Sequence, residues 1–155
     1  HGRISGMPNH RKLIDRHSAE YRRALGLGDC PEVARVAVED EQDGSGFVLR
    51  ALNTDGATVG AAHVMSGSGR VSYIRVHDHA RRCGVATRLY EAGARVMCER
   101  YGKPLRSDTV RSDEADVFWK KQAKKRRARA VQGEGWGGAL RAYYSLRCPP
   151  PRSLA

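Results

Sequence analysis

The chain has 155 residues, with 28 Lys and Arg against 17 Asp and Glu and a formal net charge of +11. That length fits one sheet-and-helix core and leaves no room for a second, so any binding sites must share one cleft. No apolar run approaches the roughly 20 residues of a membrane span, and no secretory leader opens the chain, so a soluble protein without membrane contact is expected.

In chain order, residues 9–25 read as an amphipathic helix stopped by Gly26 and Gly28, and Val33-Ala34-Arg35-Val36-Ala37-Val38 reads as a strand. A polar loop runs from Asp40 to Gly46. The segments 47–52 and 58–65 are two strands joined through Asn53-Thr54-Asp55-Gly56, a hairpin turn containing Asp-Gly. Val71-Ser72-Tyr73-Ile74-Arg75-Val76 alternates as a half-buried strand does. Next, Val85, Leu89, Ala92 and Val96, with Tyr90, Gly93 and Met97, recur at helical spacing and predict a helix over 84–101, closed by Gly102-Lys103-Pro104. A strand at 105–110, a helix at 112–123 and strands near 127–132 and 139–146, around the glycine-rich stretch 133–138, complete the order. Residues 1–146 form a single domain with 9–25 as its N-terminal helix, and 147–155, with Pro149-Pro150-Pro151, form an extended tail. Because the sequence opens on His1 rather than methionine, a piece of a larger chain or assembly is one reading.

The most specific segment is Val76-His77-Asp78-His79-Ala80-Arg81-Arg82-Cys83-Gly84-Val85-Ala86-Thr87, a strand that ends in a basic turn and opens into a helix. The first amides of a helix lack intrahelical acceptors and sit at the positive end of its dipole, which suits a pyrophosphate. Gly84 lets the backbone approach closely and take a positive φ, Ala86 is small, and Arg81 and Arg82 bring charge. The alternative is an ordinary capping glycine beside two solvated arginines. A strand before the turn and a helix after it favour the phosphate cradle.

Arg81, Gly84 and Ala86, with Thr87 following, resemble the central Arg/Gln-x-x-Gly-x-Gly/Ala motif of the GNAT superfamily of acyl-CoA-dependent N-acetyltransferases. The resemblance runs over residues 47–146 and is sharp over 71–101. It implies an α/β fold with a mixed sheet and helices on both faces: antiparallel N-terminal strands, then strand–helix–strand–helix–strand with splayed central strands. It also implies acetyl-CoA as co-substrate, an amine acceptor of unidentified kind, and no metal. By the same resemblance the backbone of Ile74 to Val76 meets pantetheine, and Arg81, Arg82, Cys83, Gly84, Val85, Ala86 and Thr87 meet the pyrophosphate. The long helix before the first strand departs from the family, many members of which carry it after that strand.

Acetyl transfer needs a neutral amine, hence a base, and an acid for the leaving thiolate is optional. His63 and His77 are the candidate bases, with Asp78 and His79 beside them; His63 is preferred because a strand residue facing the cleft centre comes closer to the thioester than one in the phosphate turn. Family members often carry Asn-x-x-Ala-x-x-Phe-Tyr on the next helix, where this chain has Ser112-Asp113-Glu114-Ala115-Asp116-Val117-Phe118-Trp119. Ser112 stands for the Asn near pantetheine. Trp119 stands for the acidic Tyr, and its indole can shape the thioester pocket without giving up a proton. Tyr143 and Tyr144 are alternative hydroxyls, of which at most one can face the site. Asp113, Glu114 and Asp116 are the visible acidic groups for a cationic acceptor, although the net charge favours an acceptor attached to something anionic.

Four cysteines, Cys30, Cys83, Cys98 and Cys148, are too widely spaced for a metal knuckle and too few for a disulfide scaffold, so a reducing cytoplasm is expected. Cys83, beside two arginines, reads either as a reactive thiol or as a small turn residue. The stretch 105–122 is similar to acetyltransferase-like domains of bacteriophages, which implies a phage-infected host or a virion. Finally, Lys120-Lys121-Gln122-Ala123-Lys124-Lys125-Arg126-Arg127-Ala128-Arg129 packs seven basic residues into ten. Three readings stay open for it: a solvated helix end, a clamp for the 3′-phosphate of CoA, or a contact for nucleic acid or another polyanion. The last would suit a catalytically weak or inactive GNAT-like module of a phage or nucleic-acid-associated protein.

Overall fold

The computed structural model describes residues 16–108, 113–125, 128–134 and 140–148. Helix α1 (Arg16–Ala24) precedes strands β1 (Arg35–Asp40), β2 (Gly46–Leu52), β3 (Thr58–Met65) and β4 (Arg70–Val76). Helix α2 (Val85–Val96), strand β5 (Leu105–Arg106), helix α3 (Asp113–Lys124) and strands β6 (Ala128–Glu134) and β7 (Leu140–Leu146) follow. They make one mixed seven-stranded sheet in the order β1-β2-β3-β4-β5-β7-β6. The first four strands are an antiparallel meander, β4 and β5 are parallel, and β7 lies between β5 and β6 antiparallel to both.

The alternation seen in the sequence decides which face is buried. Phe47, Leu49 and Ala51 of β2, Ala62 and Val64 of β3, Val71 of β4, Leu105, and Tyr144 and Leu146 of β7 meet Val85, Leu89, Tyr90, Ala94 and Met97 of α2 in one core. Gly60 brings the first turn of α2 down onto β3: a Cβ there would lie 2.8 Å from Val85 Cγ1 and 3.1 Å from the Arg75 carbonyl oxygen. Helix α3 lies beside α2 on the same face, its Trp119 touching Tyr90 and, across the sheet, Tyr144. Strands β1 and β2 are joined by a tight turn with no helix between them.

Strand β4 is irregular on both edges. Its pairing with β3 shifts between His63 and Val64, which face Tyr73 and Val71, so Ser72 is the extra residue of a β-bulge. On its other edge β4 meets β5 only at Arg70↔Arg106, with Arg106 N–H donating to Gly69 O at 2.7 Å. Beyond that pair β5 turns to β7, where Ser107 N–H bonds Tyr144 O and Tyr144 N–H bonds Ser107 Oγ. Past Arg70, no strand pairs with the β5-facing edge of β4 among the described residues.

The elements match the sequence periodicities closely, with three differences. The helix expected over 84–101 is α-helical to Val96 and ends in a wider π-type turn, Met97–Tyr101, stopped by Gly102 at φ 63. The strand expected at 105–110 is regular only at Leu105–Arg106, and 109–112 lie outside the described residues, as do 9–15 of the first helix. The cysteines are the third difference. Cys30 is joined to Cys83 and Cys98 to Cys148, so no thiol is free. Sequence spacing failed here because the bonds close loops of 53 and 50 residues, which only the folded sheet brings together. The pairing removes the argument for a reducing compartment.

Closing a loop of that length restricts the unfolded chain by about 4 kcal/mol at 25 °C. Replacing Cys98 and Cys148 together by Ala, which leaves the Cys30–Cys83 bridge intact, should therefore lower the urea midpoint markedly. Equilibrium unfolding checks this. An unchanged midpoint would show that the bond does not form in solution.

Candidate active site

The basic turn is built in short steps. His77 leaves β4 with its N–H donating to Val59 O at 2.9 Å, Asp78–Ala80 form one 3-10 turn, and the chain enters α2 through Gly84. Arg82 (φ 61) and Gly84 (φ 77) are both left-handed. Glycine adopts that conformation freely, whereas at Arg82 it costs roughly 1–2 kcal/mol that the surrounding contacts must outweigh. The first bond of α2 is Arg88 N–H to Gly84 O, so the amides of Val85, Ala86 and Thr87 have no intrahelical acceptor, and Gly84 has no side chain to cap them.

What holds the turn is Arg22, one of two arginines in the last turn of α1. Its buried guanidinium donates to the carbonyl oxygens of His79 (2.7 Å), Arg81 (2.9 Å), Gly28 (2.7 Å) and Asp29 (3.2 Å). A trans peptide points its C=O and N–H in opposite directions, so binding Arg81 O from behind sends the Arg82 N–H outward. The Cys30–Cys83 bond fastens the same two segments. The expectation that Cys83 binds cofactor is corrected in part: its side chain is fully buried and bonded, so only its backbone is left to take part.

Around this frame the arginines are exposed. Arg81 Nε lies 3.2 Å from Asp78 Oδ1, and the Arg82 guanidinium sits 5.2 Å from the Tyr21 ring centroid. Exposed pairs of this kind are weak and leave both cations free to respond to an anion. Ile74 and Val76 pack their side chains against the core below α2, while their backbone lies on the stretch of β4 that no described strand pairs on the β5 side. Arg88, in the first turn of α2, has its guanidinium pushed below the ordinary value by burial, with Glu91 opposing.

The two candidate bases lie apart. His77 is exposed at the end of β4, its ring 5.7 Å from that of His79. His63 stands opposite Tyr73, four residues back along the strand, or about 13 Å. There its Nδ1 is hydrogen-bonded to Ser72 Oγ, its Nε2 is 3.7 Å from Glu41 Oε1, and its ring stacks on Tyr73 at 5.7 Å. Asp43, in the same β1–β2 turn as Glu41, is held below the usual carboxylate range mainly by hydrogen bonds from Ser45, with His63 a minor contributor. The bulge brings Ser72 to the His63 side of the strand, a role that strict alternation hides.

The acid candidates separate cleanly. Tyr144 is buried and stacked on Trp119, whereas Tyr143 faces the other way under the Arg106 guanidinium, 4.1 Å from its ring centroid. The expectation that Trp119 lines the thioester pocket is corrected. It is 1% exposed and packed among Tyr90, Phe118 and Tyr144, so it serves the α2–α3–β7 packing instead. Ser112, Arg126 and Arg127 lie outside the described residues. Lys121, Lys124 and Lys125 are exposed at the end of α3, Lys120 bonds Asp116 at 2.7 Å, and Arg129 already belongs to β6, so the basic run divides between a helix and a strand. No group of three or more His, Cys, Asp or Glu that could hold a metal occurs among the described residues, and no helix there is long and apolar enough to cross a membrane.

No protein-family model and no curated protein matches this chain. Among solved structures, one match is the crystal structure of a GCN5-related N-acetyltransferase, "Aminotransferase, Class-II", from Rhodopseudomonas palustris, at 22% identity and TM-score 0.43. The match covers 65% of this chain and 59% of that one.

Arg22 generates a direct test of the frame. Arg22→Met keeps much of the apolar stem but leaves four carbonyls without their donor, at a cost of roughly 3 kcal/mol or more. Urea unfolding should show that loss, and hydrogen exchange should show faster opening at residues 79–84. Loss of stability without faster exchange in that turn would mean that Arg22 does not hold it.

Proposed function

We propose that this chain is an acetyl-CoA-dependent N-acetyltransferase of GNAT-like fold, acting on an amine acceptor. One conjunction supports the reading most: β4 parts from β5 after Arg70, and the far end of the same strand leads into the amides and arginines of the 81–87 turn. Ile74 to Val76 would offer their unpaired backbone edge to pantetheine, as a sheet edge accepts an added strand. Arg82 to Thr87 would take the pyrophosphate on backbone N–H groups, with Arg81 and Arg82 adding charge. The acceptor amine would lose its proton to a base, for which His63 is better placed than His77. A thiolate whose conjugate acid has a pKa near about 8.5 leaves readily without an acid, so the burial of Trp119 and Tyr144 does not remove the chemistry.

That burial nonetheless favours a second reading, in which the chain keeps the fold with little or no turnover and acts through the basic run from Lys120 to Arg129. If so, changing Lys121, Lys124 and Lys125 to Gln should flatten the salt dependence of DNA binding by roughly 0.7 to 0.9 for each phosphate no longer neutralised. An unchanged slope would leave the run a solvated surface.

Calorimetric titration with acetyl-CoA, followed by thiol release in the presence of mixed amines, separates the two readings. The wild-type chain should bind acetyl-CoA and release thiol, with no cysteine of its own contributing to the signal while both disulfides are intact. Gly84→Val, a β-branched residue forced to positive φ in the cradle, should abolish binding. Unchanged affinity in that variant would refute the cradle, and binding without amine-dependent thiol release would favour the second reading.

A further inference from the structure

Strand β1 stands at one end of the sheet order, so one of its backbone edges has no described strand beside it. The register identifies the groups on that edge. Glu41 N–H donates to Gly46 O at 2.9 Å, in line with the Asp40↔Phe47 pairing of β1 with β2. Residues of an antiparallel strand bond to a given neighbour alternately, so Arg35, Ala37 and Glu39 turn to β2 with Glu41, and the N–H and C=O groups of Val36, Val38 and Asp40 point outward. Ala34 N–H is drawn inward to Leu52 O at 2.8 Å, so the open edge starts at Val36. No proline, lysine or bulge interrupts Arg35–Asp40, and these are the devices that ordinarily blunt such an edge. Its charges are instead sorted by end, with exposed Arg35 at the start and Glu39, Asp40 and Glu41 at the finish.

We infer that the open edge of β1 is the surface on which two copies of this chain associate, antiparallel about a two-fold axis at Val38. Such an interface is isologous. Centred there, Val38 meets Val38 and Val36 meets Asp40 in hydrogen-bonded pairs, so every outward N–H and C=O of the strand is used; moving the axis to Ala37 or Glu39 leaves some of them without a partner. The pairs between these set Arg35 of each copy opposite Glu41 of the other, with Cβ atoms about 4.5–5.5 Å apart. Within the chain Glu39 lies 3.3 Å from Arg50 and Asp40 3.0 Å from Arg100, whereas Glu41 has the longer His63 contact at 3.7 Å and is the acid best able to turn to a second copy. A parallel copy would set Arg35 against Arg35, so charge selects the antiparallel arrangement. Two chains of +11 repel at long range, but exposed charges are screened over about 8 Å at physiological ionic strength, and the local pairing decides. Association on this edge is independent of the acetyltransferase reading.

Two measurements on the full chain test this. Sedimentation velocity from about 1 μM to 1 mM, the range of weak association, should show monomer passing to dimer. Arg35→Glu and Glu41→Arg each set like charges opposite one another across the axis, and each alone should weaken the dimer about tenfold or more. Mixed in equal amounts, the two variants bring back both opposite-charge pairs, so a heterodimer of wild-type affinity should form. The second measurement needs no variant: hydrogen exchange at the amides of Val36, Val38 and Asp40 should slow as the concentration of the wild-type chain rises. A wild-type monomer at every concentration, a dimer indifferent to both substitutions, or variants of native circular dichroism that fail to restore each other on mixing would each overturn the proposal. So would protection of those three amides already in the monomer, because another part of the chain would then cover the edge.

Discussion

The basic turn before α2 depends on one buried cation. Arg22 sits 5% exposed, and the partners of its guanidinium are the four backbone carbonyls of two loops. Burying a charge is costly unless polar groups replace the water it loses, and four carbonyl dipoles do so at 2.7 to 3.2 Å. The same bonds fix the turn. Carbonyls of His79 and Arg81 that point back at Arg22 leave the outward side to amides and to the arginine side chains. The N-terminal helix is thus part of the basic turn, and the Cys30–Cys83 bond repeats the fastening through a covalent route.

Strand β4 carries the rest, because it is interrupted on both edges. Toward β3 the bulge at Ser72 rotates the side chains of Ser72 and Tyr73 to the His63 face while Ile74 and Val76 return to the core. Toward β5 the pairing stops after Arg70 among the described residues, where the two-residue β5 commits its remaining bonds to β7. A backbone edge with no strand beside it is ordinarily a hazard in a sheet. Here it lies inside the sheet, on the β5 side of β4, and the strand leads directly into the turn before α2.

How much of this could be read in advance depends on the range of each interaction. Periodicity is local, so β2, β3, β4 and α3 appear in the sequence within a residue or two of their observed bounds, as does the start of α2, and the Gly84 turn is recognisable because strand, glycine and helix are contiguous. Arg22 gives no signal, since two of its acceptors lie 57 and 59 residues away and a lone arginine in a basic helix is ordinary by composition. The disulfides are hidden for the same reason. Ser72 does leave a trace: Tyr73 and Ile74 are adjacent apolar residues in an otherwise alternating strand, and that break of phase is what a bulge requires. Trp119 misleads because its position in a familiar pattern says nothing of depth; α3 leans on α2 and β7 closely enough to bury the indole.

Charge makes the same point about range. A total of +11 suggests a molecule that draws anions, and at the 81–87 turn Arg81 and Arg82 give that tendency a location. Beside His63 lie carboxylates, Glu41 at 3.7 Å and Asp43 in the same turn, while Asp116, an acidic group expected to serve a cation, is tied to Lys120. Exposed charges are screened over about 8 Å at physiological ionic strength, whereas a carboxylate in near contact acts almost unscreened. The cationic surface therefore governs approach from a distance, and Glu41 governs what is favourable at the imidazole. The charge that each part of β4 meets is thus set by the turn it faces, Arg81 and Arg82 beyond Val76 and Glu41 beside His63, rather than by the composition of the chain.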